Sequence, residues 1–390
     1  MKIYTFIEEN LPIDKLFGGK IYGGQHMSVL HQIKALQDLG HEVRVCIIRG
    51  SVKDDIVDNF ENDTDTNVES LNSSNGKLLY RKYKKILPKY INEKVDHFNP
   101  DLIICQDWKN WKYNSLSNKY PILVITHCQP LYIWDLRRAA EYEVLQSKGH
   151  KISCVSEYAK EMFIKFHTKD RRQTIPHILP DFVLYPSYCE KNNVDIPSNK
   201  LTHTSRACTG KKTFLICDYL NECDIKPSVF TQSIVQPYNE TNEKYLNTNL
   251  TKYQSYVNLD IKHSKIMKEL KTSTASYVGM ANYDTFTITS LESLSKGVPL
   301  LVTSRNNLPH PATEMVGDDC KKYVYEFKSK DDFIQKVKEF SKMSLDERQK
   351  LADSCYKKMG WENFKKVWNN AALQTVKSFE NKNSTLKRFM

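Results

Sequence analysis

The sequence has no long apolar run and no cysteine pattern typical of a metal site or a disulfide framework. No stretch approaches the roughly 18–20 apolar residues of a membrane span, so no transmembrane helix is predicted. Its ten cysteines are scattered singly, without a Cys-x-x-Cys pair or a Cys/His ligand spacing, which argues against a structural zinc site. Reduced, buried thiols predict a cytoplasmic protein. The opening residues MKIYTFIEEN predict a strand rather than a signal peptide, because acids follow a short apolar run.

The chain is basic, with 57 Lys+Arg against 46 Asp+Glu and a net charge of +11. This excess predicts phosphate-rich partners, either nucleic acid or an anionic membrane surface. The segment Lys77–Lys94 interleaves basic residues with apolar residues at helical spacing, and Pro88 predicts a kink or a division within it. Such a segment can face a membrane or a nucleic-acid backbone. The alternative is a helix with one core stripe and solvated lysines.

Strands and helices alternate along the first half, which predicts a parallel sheet in a doubly wound α/β domain. Expected buried strands lie at Lys2–Ile7, Val43–Ile48, Asp101–Gln106 and Pro121–Thr126. A second domain of the same class follows a proline-containing connection. There Asn239–Thr251 is expected to be a polar loop, and Ser329 and Ser344 are expected to cap helices.

The stretch Asn282–Thr303 predicts a loop, a helix from about Thr289 to Lys296 and a buried strand. Gly297 stands where the end of a helix requires positive φ. Asp284 and Glu292, with seven residues between them, bracket the loop and the first helical turn. Unpaired N–H groups at a helix start favour phosphate, and flanking carboxylates can accept hydroxyl groups. The stretch therefore predicts a nucleotide-sugar site; the alternative is an ordinary surface helix with a solvated Glu292.

Asp284-x7-Glu292, followed by Ser293, Gly297 and Pro299, resembles the acidic-x7-Glu signature of retaining glycosyltransferases of family four. In that family the signature usually begins with Glu and has Gly where Thr287 stands. The resemblance implies that Asp284 holds the hydroxyls of the transferred sugar and Glu292 holds the ribose of the nucleotide. It also implies donor contacts from the intervening loop, namely Thr285, Phe286, Thr287 and Ile288.

Three other positions carry the resemblance. Arg206-x4-Lys211 matches the pair that clamps the donor diphosphate, and a planar guanidinium beside a compact ammonium suits that task. Gly23 and Gly24 stand where the family has a glycine-rich loop beside the donor phosphates. His127 directly follows a predicted strand, where family members often carry a histidine that contacts the transferred sugar. The alternative for His127 is a histidine satisfied by the backbone at a strand end.

The resemblance implies a GT-B fold, with two Rossmann-like domains facing each other across a cleft and a C-terminal helix crossing back to the first domain. The expected boundaries are 1–186 for the acceptor domain and 187–360 for the nucleotide-sugar-binding domain, with the helix in 361–390 packing on the first domain. The implied co-substrate is a nucleoside-diphosphate sugar, with UDP as the favoured nucleotide, and neither a metal nor another cofactor is expected. Catalytic roles are expected for His127, Asp284, Arg206 and Lys211.

The short route from Arg206-x4-Lys211 into a helix also resembles phage DNA α-glucosyltransferases. The favoured acceptor is therefore a hydroxymethylated base of double-stranded DNA, bound through a basic surface that includes Lys77–Lys94. One alternative is a peripheral-membrane glycosyltransferase acting on a lipid-linked or cell-surface glycan. Another is an inactive GT-B protein that binds sugar or coats DNA.

Overall fold

The computed structural model describes most of the residues of the chain. They are 1–7, 24–48, 57–60, 74–106, 113–127, 136–169, 179–205, 208–220, 223–231, 233, 240–280, 284–303 and 308–389. Of these, the backbone alone is described for 7, 24–27, 47–48, 57–60, 74–85, 136–140, 164–169 and 386–389. The chain divides into two compact units, one of residues 1–155, 159–186 and 364–390 and the other of residues 156–158 and 187–363.

Strands and helices alternate through both units. The strands are β1 (Lys2–Ile7), β2 (Glu42–Ile48), β3 (Val57–Phe60), β4 (Leu102–Gln106), β5 (Ile122–Thr126), β6 (Lys151–Cys154), β7 (Phe182–Val183), β8 (Ser198–Thr204), β9 (Lys226–Thr231), β10 (Val257–Leu259), β11 (Ser273–Val278), β12 (Leu300–Val302) and β13 (Val324–Glu326). The α-helices are α1 (Gly24–Asp38), α2 (Ser74–Phe98), α3 (Leu136–Ser147), α4 (Glu157–Lys169), α5 (Leu215–Tyr219), α6 (Glu240–Tyr253), α7 (His263–Lys271), α8 (Ile288–Leu294), α9 (Lys330–Phe340), α10 (Leu345–Met359) and α11 (Trp361–Phe389).

The first unit contains a parallel seven-stranded sheet in the order β3-β2-β1-β4-β5-β6-β7. Strands β4 and β5 are buried along their whole length, as their mainly apolar sequences predict for a sheet covered on both faces. The strand order reverses direction between β1 and β4, and in such sheets ligands bind beyond the carboxyl ends of the strands at that point. From Phe364 onward α11 belongs to this unit, where Phe379 stacks on His150 with ring centroids 5.1 Å apart.

Helix α2 contains the basic segment and passes through Pro88 without being divided, contrary to one of the two outcomes that the proline predicted. Leu87, Ile91 and Val95 are fully buried on one side of the helix and join the core of the first unit. The exposed Lys89 pairs with Glu93 one turn later. The half of α2 whose side chains are described therefore has one core stripe and a solvated polar face.

The second unit repeats the architecture with a parallel six-stranded sheet in the order β10-β9-β8-β11-β12-β13. The predicted α/β class with two doubly wound parallel sheets is therefore confirmed. The polar loop predicted at Asn239–Thr251 is wrong, because Glu240–Tyr253 is helical. Leu246 and Tyr253 are the buried residues of this helix. Tyr253 stacks on Phe214, with ring centroids 6.4 Å apart.

Local signals fix the helix ends near the predicted site. Ser344 and Glu347 form the expected capping box at the start of α10, and the Ser329 hydroxyl caps α9. Gly297 has φ +69°, and the Val298 and Gly297 amides donate to carbonyls five and three residues back, which closes the end of α8 as a Schellman motif. A Cβ at Gly297 would lie 2.4 Å from the Arg348 carbonyl oxygen, so this turn also needs glycine for close packing.

Candidate active site

The two halves of the predicted donor site meet in the second unit. Lys211 follows β8 and Asp284 follows its neighbour β11, and the Lys211 Nζ lies 3.0 Å from the Asp284 Oδ2. Their side chains are only 15% and 12% exposed, so the ion pair is largely shielded from water. A shielded pair is stronger than a surface pair, and removing one partner leaves the other charge without compensation. The structure thus brings together one cation and one carboxylate that the sequence assigned to the same ligand.

The backbone of Lys211 is held tightly by β11 and the residue that follows it. Lys211 ends a short 3-10 helix, and the Tyr277 hydroxyl donates to the Lys211 carbonyl oxygen at 3.0 Å. A Cβ at Gly279 would lie 2.0 Å from that same oxygen, so only glycine permits this approach. Lys212 follows in the left-handed region with φ +50° and is exposed. The turn therefore separates two adjacent lysines, placing the first against Asp284 and the second in solvent.

The loop after Asp284 is packed inward rather than exposed. Thr285 and Thr287 are buried, and Phe286 and Ile288 are half-buried. The Thr287 and Ser290 hydroxyls lie 2.6 Å apart, which ties the loop to the first turn of α8. This helix begins at Ile288, one residue earlier than the sequence predicted, and ends at Leu294, two residues earlier. Whether these four loop residues contact a donor stays a prediction.

Glu292 has a partner that sequence reasoning did not identify. Its Oε1 lies 2.6 Å from His263 Nε2, and the Glu292 side chain is 19% exposed. The hydrogen bond to Glu292 raises the pKa of His263 above its ordinary value of 6.5, although burial and the Lys296 charge oppose the shift. His263 opens α7, which packs beside α8. The carboxylate predicted to hold ribose therefore binds an imidazole.

Two buried histidines lie within the electrostatic reach of Lys211. The His203 Nδ1 donates to the Tyr277 carbonyl oxygen at 2.7 Å, and its Nε2 lies 2.8 Å from the Ser205 hydroxyl. Burial first, and then the Lys211 charge, lower the pKa of His203 to about 4 and that of His310 to about 3. Both rings are therefore neutral at pH 7. The neutral rings add no positive charge beside Lys211, whose ammonium pairs with Asp284.

The first unit holds a polar chain at the carboxyl ends of its central strands. His127 follows β5, and its Nε2 lies 2.6 Å from the Gln106 Oε1 at the end of neighbouring β4. The Gln106 Nε2 donates to the Gln32 Oε1 on α1 at 2.7 Å. Because the Gln106 carboxamide already donates to Gln32, its oxygen accepts from His127, which assigns the proton to the His127 Nε2. Burial lowers the pKa of His127 to about 4, so the ring is neutral at pH 7.

Some of the predicted site residues lie outside the described part of the chain. Arg206 and Gly23 are among them, and Gly24 is described only as the first residue of α1. Three residues of interest were not found from the sequence, namely Gln106, His263 and His310. A glutamine in an apolar strand was the one available signal, since a buried amide requires partners.

Metal ligands and membrane spans are both absent from the described residues. No group of three or more His, Cys, Asp or Glu side chains there has the arrangement of a metal site. In the same part of the chain, no helix has the length and apolar character needed to cross a bilayer.

Comparisons with known proteins place this geometry in context. Residues 22–179 match the family model described as Glycosyltransferase Family 4. No curated protein sequence matches the chain. Among solved structures, sucrose-phosphate synthase from Thermosynechococcus elongatus aligns with a TM-score of 0.62 at 12% identity, over 98% of this chain and 99% of that one.

Two further structures contain a nucleotide. HepE from Anabaena, in complex with UDP, gives a TM-score of 0.61 at 12% identity, covering 95% of this chain and 99% of the other. An α-glucosyltransferase in complex with UDP gives a TM-score of 0.53 at 14% identity, covering 95% of this chain and 99% of the other. The fold is that of GT-B glycosyltransferases, and together with the family match it shows that the chain is a glycosyltransferase.

Proposed function

We propose that this glycosyltransferase binds a nucleoside-diphosphate sugar in its second unit and transfers the sugar, with retention of configuration, to a hydroxyl acceptor. The observation that carries the proposal is the shielded pair of Lys211 and Asp284, 3.0 Å apart at the ends of neighbouring strands. A cation at this position suits a diphosphate, and a carboxylate beside it suits sugar hydroxyls. UDP is the proposed nucleotide, because both HepE and the α-glucosyltransferase were solved with it.

In the proposed complex, Lys211 contacts the diphosphate and is joined by Arg206. Preorganised positive charge stabilises the negative charge that develops on the leaving diphosphate, which is usually the largest catalytic contribution. Asp284 then accepts hydrogen bonds from the sugar, and Glu292 accepts them from the ribose. Since Glu292 is bonded to His263 in the free protein, ribose binding exchanges one partner of this carboxylate for another.

The proposed chemical step needs no covalent intermediate with the protein. The bond between the anomeric carbon and the diphosphate oxygen breaks, and the acceptor oxygen bonds to that carbon on the same face. The proton of the acceptor hydroxyl passes to the departing phosphate oxygen. His127 contributes as a neutral ring that contacts the sugar, because its low pKa leaves it uncharged at pH 7. Gln106 fixes the orientation of that ring.

For the acceptor we propose a hydroxymethylated base of double-stranded DNA, flipped out of the stack to reach the donor. The net charge of +11 supports a polyanionic partner. The described half of α2, residues 86–98, contains two lysines and two acidic residues and is charge-balanced. We therefore assign the DNA-binding charge of this segment to its first half, whose sequence contains Lys77, Arg81, Lys82, Lys84 and Lys85.

A salt titration of duplex binding tests this acceptor. If the protein binds the DNA backbone, the logarithm of its affinity falls linearly with the logarithm of the salt concentration. The slope is about −0.9 for each phosphate neutralised. Substituting Lys82, Lys84 and Lys85 together should reduce the slope, whereas substituting Lys89, already paired with Glu93, should not. Binding to anionic vesicles with no duplex binding at low salt would instead identify a membrane-associated enzyme. A cytoplasmic location is part of the same proposal and is tested by cell fractionation.

Turnover with a panel of nucleotide sugars tests the donor. The purified chain is incubated with UDP-, GDP- and ADP-sugars and with plain or hydroxymethylated DNA, and released nucleotide and modified nucleosides are measured by mass. We expect UDP release that depends on the modified DNA. If wild-type protein and Glu292→Gln turn over equally, the assignment of this site is wrong. If no donor is consumed at all, the proposal of an active enzyme fails.

A further inference from the structure

The His310 ring has one nitrogen with a partner and one without. The Nδ1 accepts a hydrogen bond from the Ala312 amide at 3.1 Å, so it caps the 3-10 helix Pro311–Met315. A neutral imidazole with an accepting Nδ1 carries its proton on Nε2. Among the described residues, this Nε2 has no hydrogen-bond partner, although His310 is only 2% exposed.

A buried N–H without a partner is unfavourable and uncommon in folded proteins. Chain flexibility does not explain this one, since the backbone around the ring is anchored on both sides of Pro311. The Thr313 amide and hydroxyl both donate to the His310 carbonyl oxygen, at 2.9 and 2.8 Å. The ring is thus held in place by the Ala312 hydrogen bond and by this turn, while its Nε2–H donor makes no hydrogen bond to any residue that the structure describes.

Two observations connect the ring with the proposed donor site. The 3-10 helix that His310 caps packs against α8, the helix that carries Glu292. Lys211 is close enough to lower the pKa of His310, and burial is the larger cause of the shift to about 3. The imidazole is therefore neutral at pH 7, where it can offer an N–H but no charge.

We propose that His310 is a donor-binding residue whose Nε2–H donates a hydrogen bond to a diphosphate oxygen of the nucleotide sugar. The inference rests on the proposed function, since it assigns the missing partner of His310 to the same ligand. An anionic oxygen is the acceptor that best satisfies a buried N–H within the electrostatic reach of a lysine. The cost of an unpaired donor in the free protein is then recovered on binding.

Two substitutions separate the two nitrogens. His310→Asn keeps an oxygen at the position of Nδ1, where asparagine is a good N-cap, and removes the donor at the position of Nε2. His310→Gln keeps a donor near the position of Nε2. Calorimetric titration with UDP should show affinity about 10- to 100-fold lower for the Asn variant, the range expected for a hydrogen bond to a charged group. The Gln variant should regain most of that loss, and the melting temperature of the free Asn variant should not fall.

Several outcomes would overturn the assignment. One is equal UDP affinity for wild type and His310→Asn. The others are an equal loss of UDP affinity in the Asn and Gln variants, or a loss of affinity for UDP-glucose without a loss of affinity for UDP. If the wild type binds UDP and the Asn variant matches it, this inference fails while the proposed function stands. If the wild type binds no nucleoside diphosphate, both fail.

A measurement on unsubstituted protein covers the case in which a variant does not fold. In wild-type chain labelled with 15N-histidine, UDP should move the His310 Nε2–H resonance downfield as the bond forms. An unchanged resonance at saturating UDP would contradict the proposal.

Discussion

The two sheets share the order of their first six strands but carry different chemistry at their carboxyl ends. In the first unit, β4 and β5 end in a neutral chain of Gln106 and His127, anchored on Gln32. In the second, the turns after β8 and β11 bring Lys211 against Asp284. The topology thus places a possible ligand site at the carboxyl ends of the strands in both units, and the side chains there determine which chemical groups can bind. Neutral donors and acceptors suit hydroxyl groups, whereas a cation–carboxylate pair suits a sugar diphosphate.

The largest expected effect comes from removing the cation of the second unit. Lys211→Met should lower kcat/KM about 100- to 1,000-fold, the range found when one preorganised group facing transition-state charge is removed. Asp284 would also lose this ion pair inside a shielded site. The measurement is steady-state turnover with UDP-glucose. Lys212→Asn is the matched control, because this neighbour is exposed and asparagine tolerates its left-handed backbone.

The second expected effect comes from the backbone that supports Lys211. Gly279→Ala would place a Cβ 2.0 Å from the Lys211 carbonyl oxygen, so this turn must move and the donor site with it. We expect turnover to fall by at least about tenfold, with a lower melting temperature, since overpacking typically costs about 1–3 kcal/mol. Gly317→Ala is the control, because its new Cβ would meet only the Asp319 and Ser354 side chains at 3.1 Å. Equal activity in the two variants would show that the close approach does not position Lys211.

A smaller effect is expected in the first unit. Gln106→Leu removes the acceptor that fixes the His127 ring and leaves Gln32 without its partner. We expect kcat to fall about tenfold, as a lost net contribution of about 1–1.5 kcal/mol implies, while UDP affinity stays unchanged. Gln106→Glu, which still accepts from His127, should retain more activity. A weaker affinity for UDP in Gln106→Leu would contradict the division of roles between the units.

The smallest effect concerns pH. Glu292 raises the pKa of His263, so protons bind the folded protein more tightly than the unfolded chain at this site. The stabilisation from the pair is therefore complete below the unfolded pKa of about 6.5 and is lost as pH rises through the raised value. Because the imidazolium competes with ribose for Glu292, UDP affinity should rise a few-fold over the same window. NMR titration of His263 and calorimetry between pH 6 and 8.5 measure both quantities, and His263→Gln should abolish the pH dependence.

The sequence predicted the features that depend on neighbouring residues. The capping box at Ser344, the positive φ of Gly297 and the apolar strands β4 and β5 each follow from a local pattern. Helix α6 was missed because its few buried residues give no periodic signal. The pair of Lys211 and Asp284 could be anticipated only through a family resemblance, since spacing alone does not bring β8 beside β11.

The partners Gln106, His263 and His310 could not be predicted in this way. Each depends on which element lies beside it in the folded unit: Gln106 on α1, His263 on α8, and His310 on α8 as well, against which the 3-10 helix that it caps packs. A lone glutamine or histidine in a sequence carries no information about its neighbour across a sheet. The contacts of these residues are seen only in the tertiary structure.

Calorimetric titration of UDP into three proteins tests the division of chemistry between the two units most directly. The proteins are the wild type, Lys211→Met in the second unit and Gln106→Leu in the first. We predict that the wild type and Gln106→Leu bind UDP equally, and that Lys211→Met binds at least about tenfold more weakly, as the loss of a charge-assisted contact implies. Equal affinity for Lys211→Met and wild type, or a comparable loss in Gln106→Leu, would contradict the assignment of the diphosphate to Lys211.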